Sequence, residues 1–439
     1  MLAGVAADAI VTRAVAPARG HTGDHPVMQR YSALSLARNA LSRHRNWERA
    51  WAAREPKNAY DIVIIGGGGH GLATAYYLAK EHRITNVAVI EKGWLGGGNT
   101  GRNTTIVRSA YLNAPSIALY ELSRSLFETL SGELNFNVMF SARGVVTLCL
   151  SEHELRLMRR HSHAAAAEGV TAYMIGRGDI ARKIPLLDLS RTARHPVLGA
   201  LFQPDGGTAR HDAVAWGYAR AADALGVDII ENCAVTRIRR DGGRVSGVAT
   251  ARGEIAAKTV AVVAAAGASQ LLETVAVTLP IENVRLQAMV SEPLKPMLDV
   301  VVLAGATQAY ASQSDRGELV IGGAASRSGR ASLATLEHTI AALVALMPAV
   351  SRVKLMRHWE GTVDLTPDRS PLIGRTPVEG LYLNCGWGSG GFKAIPGSGF
   401  IFADTLANGR AHELAAPFGL DRFDTGAVID ERTAAAVAH

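Results

Sequence analysis

Cysteine is scarce in this 439-residue chain, which has three: Cys149, Cys233 and Cys385. They lie far apart and none belongs to a CxxC pair, so their spacing argues against a zinc site and against a disulfide framework. No metal site is therefore expected. Isolated thiols are also typical of proteins in the reducing cytoplasm, where we expect this chain to be located.

Long apolar runs are missing as well. Residues 260–268 and 340–347 are among the longest and fall well short of the ~18 residues of a membrane-spanning helix. Residues 1–27 have no basic head followed by an apolar core, so they do not resemble a secretory signal, and Met28 is an alternative start. With 48% hydrophobic and 19% charged residues, the composition is that of a globular protein of two or three domains.

The net charge of +7 is unevenly distributed, because residues 28–58 carry five of these charges. Apolar and basic residues alternate there at helical spacing, with Trp47 and Trp51 four residues apart. A solvated helix and an arm that docks on another protein both fit this pattern. Nucleic-acid binding is the weakest interpretation, since no recognition motif accompanies the basic residues.

A dinucleotide-binding pattern begins at Asp61, in DIVIIGGGGHGLATAYYLAKEHRITNVAVIEK. The spacing predicts a buried strand, a glycine turn, an amphipathic helix and a second buried strand. Gly66, Gly68 and Gly71 form GxGxxG, which permits a tight turn, the approach of a pyrophosphate to the backbone and close packing of the helix. The helix N-terminus favours phosphate, and Glu91 stands where an acid accepts a ribose hydroxyl. A chance glycine cluster would not explain this order of elements.

Two more glycine-rich segments favour FAD over a nicotinamide cofactor. The first, GWLGGGNTGRNTTIVR, keeps the chain irregular after Glu91, where a nicotinamide dehydrogenase usually enters another helix. The second, LYLNCGWGSGGFKAIPGSGFIFADTLANG, predicts a strand, a glycine turn and a helix whose N-terminus faces the same ligand. A tight surface turn at residues 386–391 is the alternative.

The segments in between alternate strands and helices and include a hairpin with an Asp241-Gly242 turn. The predicted fold class is α/β: an FAD-binding Rossmann-like domain of the glutathione-reductase type, with an inserted β-rich α+β substrate domain. The predicted division is an N-terminal extension and basic arm (1–58), a discontinuous FAD-binding domain (59–145, 207–280 and 355–439) and a substrate or interface domain (146–206 and 281–354).

Six motifs carry a resemblance to a known family. From about residue 60 to residue 439 the chain resembles the β subunits of heterotetrameric (αβγδ) sarcosine oxidases, within the D-amino-acid-oxidase-like flavin amine oxidases. Extra sequence before Met28, the variant loop GGGNTGRN and an arginine at position 210, where the family often has lysine, depart from the family pattern. The motifs are VIIGGGGHGLATAYYLAK, NVAVIEKGWL, RNTTIVRS, RHDAVAWGYAR, NCGWGSGGFKAIPGSG and the terminal AAAVAH.

The resemblance implies an oxidative demethylation of sarcosine at non-covalent FAD. It further implies that electrons pass to a covalent FMN and then to O2, giving glycine, H2O2 and formaldehyde or 5,10-methylenetetrahydrofolate, with tetrahydrofolate bound by the α subunit. The implied partners are α, γ and δ subunits, without nucleic acid or membrane. The alternatives are a related FAD-dependent glycine, dimethylglycine or proline dehydrogenase, or a subunit whose FAD is structural.

The family pattern also assigns residues. It makes Arg108 and Lys393 the cationic anchors of the substrate carboxylate; a surface salt bridge and a solvated lysine are the alternatives. The residues that the resemblance assigns to cofactor binding are Gly66, Gly68, Gly69, His70, Gly71, Glu91, Lys92, Asn99, Thr104, Ile106, His211, Val235, Gly388, Gly391 and Lys393.

His211 stands apart from both FAD segments, in RHDAVAW. This run matches the segment of the family that carries covalent FMN, and a neutral imidazole nitrogen can attack the 8α-methyl group of a flavin. Arg210 or helix N–H groups would then stabilise negative charge on the ring. The alternative is a polar helix start, with Thr208 or Asp212 as its cap. Single-chain relatives carry an oxygen-activating lysine on a strand that corresponds to RGELVIGGA, which has none, so we expect the FAD here to react slowly with O2.

Overall fold

A computed structural model describes residues 33–43, 45, 49–326 and 332–431 of the chain. Its strands are β1 (Ala59–Ile65), β2 (Val87–Ile90), β3 (Ile106–Val107), β4 (Val145–Cys149), β5 (Tyr173–Ile175), β6 (Gly199–Gln203), β7 (Gly207–Thr208), β8 (Asp228–Ile230), β9 (Val235–Asp241), β10 (Arg244–Thr250), β11 (Gly253–Val262), β12 (Glu282–Pro293), β13 (Val301–Ala304), β14 (Ala309–Gln313), β15 (Glu318–Ser326), β16 (Leu355–Leu365), β17 (Leu372–Arg375) and β18 (Leu381–Cys385). Its α-helices are α1 (Ala33–Leu41), α2 (Gly69–His82), α3 (Ala114–Glu133), α4 (Glu152–Ala167), α5 (Arg177–Lys183), α6 (His211–Ala224), α7 (Ala268–Glu273), α8 (Leu333–Leu346), α9 (Ile395–Asn408) and α10 (Arg422–Thr425).

The first sheet has the strand order β17-β18-β11-β1-β2-β8, and the β9–β10 hairpin joins it by pairing with β11. Strands β18, β11, β1, β2 and β8 pair with one another in parallel, whereas β17 and β10 pair antiparallel with β18 and β11. Parallel strands are covered on both faces, which explains why the last four residues of β1 and all four of β2 are apolar and buried. Helices α2, α3, α6 and α9 cover one face, while α7 and the hairpin cover the other.

The second sheet has the order β16-β12-β15-β14-β13-β4-β6-β5. Its neighbours are antiparallel except for β13 and β4, which pair in parallel. Helix α8 packs on it through Leu343 and Leu346. The predicted fold class is confirmed: an α/β domain with a mostly parallel central sheet accompanies a β-rich unit whose strands come from separate parts of the chain.

One predicted boundary needs correction. The domain prediction assigned residues 355–365 to the FAD-binding domain, but β16 is the edge strand of the second sheet and pairs with β12 from Glu282↔Leu365 to Ser291↔Leu355. The second sheet therefore extends to Leu365. The charged residues of β16, LMRHWEGTVDL, are not typical of a strand. Its partner, β12, lies about 70 residues earlier in the chain, so no local pattern indicates the pairing.

The basic arm forms a helix only in part. Helix α1 has no buried residue, and Trp51 lies outside it, whereas Trp47 lies outside the described residues. The Trp51 indole N–H donates to a carboxylate oxygen of Glu231 at 3.0 Å, and Arg54 and Lys57 pair with Asp228. The C-terminal end of the arm is therefore fastened to the end of the first sheet. A docking partner for the arm stays a prediction.

None of the helices in the described part of the chain combines the length and the apolar character that crossing a membrane requires. Two features named in the sequence lie outside that part, namely residues 1–27 and the terminal motif at 434–439.

Candidate functional site

The glycine turn after β1 is built so closely that side chains would not fit. Gly66 has φ of +122°, and a Cβ there would lie 2.4 Å from the carbonyl oxygen of Val263. A Cβ on Gly71 would lie 2.1 Å from the carbonyl oxygen of Gly66. Helix α2 starts at Gly69, and its N-cap residue, Gly68, provides no side-chain cap. Apart from the Gly69 N–H, which the Thr100 hydroxyl accepts, the start of α2 thus keeps the backbone N–H groups and positive dipole end that suit a pyrophosphate.

Glu91 organises the loop beside this turn. Its Oε2 accepts the Gly67 N–H at 2.8 Å, and its Oε1 accepts the Gly93 N–H at 2.9 Å. A carboxylate oxygen has a second lone pair, so Glu91 can still accept ribose hydroxyls, as the sequence predicts. Val235 begins β9 two residues after Cys233, whose N–H donates to the Glu91 carbonyl at 2.9 Å. Lys92 lies next to Glu91 and is exposed.

Two residues that sequence reasoning missed also shape this loop. The Thr100 hydroxyl accepts the Gly69 N–H at 3.0 Å, at the start of α2. Glu231 accepts the Leu95 N–H at 2.9 Å with the oxygen that does not bind Trp51. Neither contact has a local signal, because their partners are 31 and 136 residues away in sequence.

The remaining residues of the first loop lie where the two sheets meet. Asn99 donates its amide to the carbonyl oxygen of Thr362 on β16 at 2.6 Å. The Thr104 hydroxyl donates to the Tyr310 hydroxyl on β14 at 3.3 Å, and Ile106 packs in the same apolar cluster as Tyr310. These three predicted cofactor residues therefore connect the glycine turn to the second sheet.

The second glycine loop is anchored by Asp364, at the end of β16. Its Oδ2 accepts the Gly386 N–H at 2.5 Å, and its carbonyl oxygen accepts the Gly388 N–H at 2.9 Å. Burial raises the pKa of Asp364 to about 6, although the backbone N–H groups around it partly oppose this shift. No local sequence pattern points to Asp364, because its partners lie beyond the end of β16.

His70 and Gly391 lie against this loop from the side of α2. The His70 imidazole stacks on Trp387 with ring centroids 4.5 Å apart, and its Nδ1 is hydrogen-bonded to the Ser398 hydroxyl on α9. A Cβ on Gly391 would lie 3.4 Å from the other imidazole nitrogen, Nε2. Burial lowers the pKa of His70 to about 3, so the ring is neutral at physiological pH.

Arg108 and Lys393, the predicted substrate anchors, come together at the junction of two cavities. The cavities enclose about 550 and 580 Å³, open mouths included, and both are lined by Arg108, Ser389 and Lys393. The first also borders the loop from Asn103 to Ile106, and the second borders Gly388. Neither cation matches the surface alternatives, since Arg108 is 9% exposed and Lys393 is 8% exposed.

Aromatic rings lie beside the two cations. The Arg108 guanidinium lies 4.4 Å from the ring centroid of Tyr111, which stacks on Tyr120 at 4.2 Å, and the Lys393 Nζ lies 6.0 Å from Tyr120. Lys393 donates to the Ser389 carbonyl at 3.2 Å. Burial, and to a lesser degree the charge of Arg108, lowers the pKa of Lys393 to about 7. A carboxylate entering between them would favour the ammonium form.

His211 is the first residue of α6 and lines neither cavity. Arg210, not Thr208 or Asp212, is the N-cap residue, and its side chain makes no capping bond, so the predicted caps are wrong. Arg210 instead forms ion pairs with Asp212 at 2.9 Å and Asp315 at 3.1 Å. The His211 Nδ1 is buried and has no hydrogen-bond partner among the residues that the structure describes, and burial lowers the pKa of the ring. A neutral imidazole with an unpartnered nitrogen fits the predicted covalent attachment.

Within the described residues, no group of three or more His, Cys, Asp or Glu side chains is arranged to hold a metal ion. The three cysteines are free and buried.

Comparison with known proteins matches residues 61–405 to the family described as FAD dependent oxidoreductase. The chain is 54% identical over 416 residues to sarcosine oxidase subunit beta of Rhodobacter capsulatus, covering 94% of this chain and 100% of the relative. The protein of the same name from Rhizobium meliloti is 53% identical over 92% of this chain and 98% of its own. Among solved structures, L-proline dehydrogenase from P.horikoshii aligns with a TM-score of 0.79 and 25% identity over 84% of this chain and 99% of its own.

Proposed function

The chain belongs to the FAD dependent oxidoreductase family, among the sarcosine oxidase β subunits, and from this we propose that it oxidises sarcosine at a non-covalent FAD within a heterotetramer. Sarcosine is a zwitterion with a carboxylate and a secondary amine. The observation that carries the proposal is the pair Arg108 and Lys393, both buried, at the junction of the two cavities. Two buried cations beside aromatic rings suit a small carboxylate.

The residues around the glycine turn fit FAD. Gly66 and Gly71 leave no room for side chains, the N-cap residue of α2 is a glycine without a capping side chain, and Glu91 retains lone pairs for a ribose. Asn99, Thr104 and Ile106 continue this surface towards the second glycine loop, which Asp364 holds. These residues would hold FAD, which would supply the two-electron oxidation of the N-methyl group of the substrate.

The chain's own residues then bind and orient the substrate. Arg108 supplies a permanent positive charge, and Lys393 adds a second one whenever its amine is protonated. The stacked Tyr111 and Tyr120 lie beside the guanidinium and the ammonium group and line the second cavity. Because the walls are buried, water competes weakly for the substrate carboxylate.

The second part of the proposal concerns His211. It carries covalent FMN, with the remainder of that site formed by the α subunit, and the support is the unpartnered, neutral ring nitrogen at the start of α6. Mass spectrometry of the assembled enzyme tests this directly. We expect a flavin-modified peptide that spans His211 and disappears in His211→Asn, while the exposed control His153→Asn keeps it. Complete release of flavin by acid from the unaltered enzyme would contradict the attachment.

The proposal includes α, γ and δ partner subunits, tetrahydrofolate bound by the α subunit, and a cytoplasmic location. Co-purification of the tagged chain tests the partners: three companion chains that stay in stoichiometric amounts through gel filtration support the heterotetramer. A chain that purifies alone, with full activity, would contradict it.

Anaerobic titration of the assembled enzyme with sarcosine tests the reaction. We expect the yellow FAD absorbance to bleach with sarcosine, and less or not at all with glycine, dimethylglycine or L-proline. Preferential bleaching by one of those compounds would instead identify a related dehydrogenase, and no bleaching by any of them would indicate a structural FAD. Lys393→Met should raise the KM for sarcosine or lower kcat, whereas Lys354→Met, at an exposed position, should change neither.

A further inference from the structure

The second cavity, which Gly388 borders, contains a single acidic side chain among its described lining residues. Its three cations are Arg108, Arg369 and Lys393, and the acid is Glu431. The first cavity, which borders the loop from Asn103 to Ile106, has no acid among its described lining residues. A carboxylate substrate explains an excess of cations, but it does not explain a buried carboxylate beside them. The chain brings Glu431 to this place from its C-terminal end.

Glu431 is held firmly and is 5% exposed. The Asn113 amide, at the start of α3, donates to the Glu431 Oε1 at 3.0 Å and to the Asp430 carbonyl at 2.9 Å. The Glu431 N–H donates to the Asp368 carbonyl at 3.0 Å. The other carboxylate oxygen, Oε2, is buried, and no hydrogen bond joins it to the described residues. Burial raises the pKa of the Glu431 carboxyl, and the nearby Ser116 hydroxyl and Asn113 amide partly oppose this shift.

A second set of contacts fixes the segment that carries Glu431. Arg422 and Asp368 form a buried bidentate pair, with N···O distances of 2.8 and 2.9 Å. Asp368 also accepts the Ile429 N–H at 3.0 Å, and the Ser370 hydroxyl donates to the Ile429 carbonyl at 3.0 Å. Separating a buried pair would leave uncompensated charges in the interior, so the Arg422–Asp368 pair holds this segment in one position. Glu431 is thereby presented to the cavity by a rigid support.

We propose that the Glu431 carboxylate binds the amine N–H of the substrate through Oε2, as the counterpart of Arg108 and Lys393, which bind the substrate carboxylate. The inference rests on the proposed function, because it takes a secondary amino acid as the substrate. An amine N–H would donate the hydrogen bond that the buried Oε2 lacks. With the amine bound to Glu431, the carboxylate of a short amino acid would point to the cations. Glu431 is thus a residue that selects amino acids over simple carboxylic acids.

The test compares two ligands in the assembled, FAD-containing enzyme. Sarcosine carries both groups, whereas propionate carries the carboxylate alone. In Glu431→Gln we expect the affinity for sarcosine, from anaerobic FAD reduction, to fall about tenfold or more, as is typical of losing a hydrogen bond to a charged group. The affinity for propionate, from the change in the flavin spectrum, should stay the same or rise. The matched control Asp430→Asn removes a charge from the exposed neighbouring residue and should leave both affinities unchanged.

Equal losses for sarcosine and propionate would mean that Glu431 only supports Arg108 or the cavity wall, and the inference would be wrong. An unchanged sarcosine affinity would also overturn it. If Glu431→Gln does not retain FAD, or if its melting temperature is lower than that of the unaltered enzyme, Glu431→Asp provides the same comparison. That variant keeps the charge and shortens the side chain. If the unaltered enzyme is not reduced by sarcosine, the proposed function fails, and the two variants are then compared with the amino acid that does reduce it.

Discussion

The imidazole of His70 lies flat against the indole of Trp387, with ring centroids 4.5 Å apart and an angle of 15° between the planes. His70 belongs to the first glycine motif and Trp387 to the second, so this stack joins the two segments that we propose form the cofactor surface. The Trp387 indole N–H also donates to the Asn384 side chain at 2.7 Å. Ser398, hydrogen-bonded to the His70 Nδ1, completes the connection to α9.

This stack predicts an acid sensitivity. The pKa of His70 is lowered to about 3, so between pH 6.5 and pH 3 the unfolded chain binds a proton that the folded chain does not. The stability that neutral His70 contributes is therefore present above about pH 6.5 and is lost as the pH falls. Because His70 is only half-buried by its surface area, we expect a loss of about 1–2 kcal/mol between pH 7 and pH 5. Chemical denaturation of the FAD-containing protein should show this slope, reduced in His70→Asn; equal slopes would contradict it.

Asp364 should make the free energy of unfolding depend on pH in the opposite direction. Its pKa is raised to about 6, so the folded chain holds a proton that the unfolded chain has lost between about pH 4 and pH 6. The stabilising contribution of the protonated carboxyl is present below about pH 4 and is lost as the pH rises through 6. Asp364→Asn stays neutral, so from pH 4 to pH 7 its stability should improve relative to the unaltered protein by about 2–3 kcal/mol.

The matched control for this measurement is Asp299→Asn, at an exposed aspartate. Its stability relative to the unaltered protein should not vary over the same pH range. If Asp364→Asn behaves like Asp299→Asn, the carboxyl group of Asp364 is not the buried anchor of the loop from Gly386 to Gly388.

Local patterns were sufficient for one part of the site. The strand, turn and helix around Gly66 and Gly71 follow from residues within a single βα unit, and the structure shows the close approaches that this pattern predicts. Arg108 and Lys393 were assigned by family resemblance, because nothing local shows that residues 285 positions apart share a cavity. Their ligands remain a proposal.

Residues whose partners are distant in sequence were missed. Asp364 accepts an N–H from a residue 22 positions later, and Glu431 depends on Asn113, 318 positions earlier. Acids at such positions look like ordinary surface residues in a sequence. The predicted domain boundary at residue 355 was wrong for the same reason, because the position of β16 in a sheet depends on pairing with a strand that is remote in sequence. Only the three-dimensional structure identifies these contacts.

The glycine turn gives a prediction with a built-in control. Gly71→Ala would place a methyl group 2.1 Å from the Gly66 carbonyl oxygen, a clash with backbone that cannot rotate away. We expect a loss of about 2 kcal/mol or more in stability, together with weaker FAD retention. Gly132→Ala, in α3, meets nothing within 4 Å, so its stability should be unchanged or rise by up to about 1 kcal/mol. Differential scanning calorimetry and the flavin content after gel filtration measure both; equal behaviour of the two variants would exclude a tight turn at Gly71.

Lys393 predicts how anion binding depends on pH. The charged groups that share its cavities are Arg108, Arg369 and Glu431, and its pKa is lowered to about 7 by burial and by Arg108. Lys393 is therefore positively charged below about pH 7 and neutral above it. A carboxylate ligand binds the charged form, so the affinity for propionate should be constant below about pH 7. Above it, the affinity should fall by up to about tenfold per pH unit, until Arg108 alone holds the ligand.

Spectral titration of the assembled enzyme with propionate, from pH 6 to pH 9, measures this dependence. Lys393→Met should bind propionate weakly at every pH and without a bend, because the variant has no group to deprotonate at that position. Lys354→Met removes an exposed lysine and should reproduce the unaltered curve. A bend near pH 7 that persists in Lys393→Met would assign the titration to another group, and a flat curve in the unaltered enzyme would show that Lys393 stays protonated throughout this range. Either result would contradict the claim that the lowered pKa of Lys393 makes carboxylate binding depend on pH.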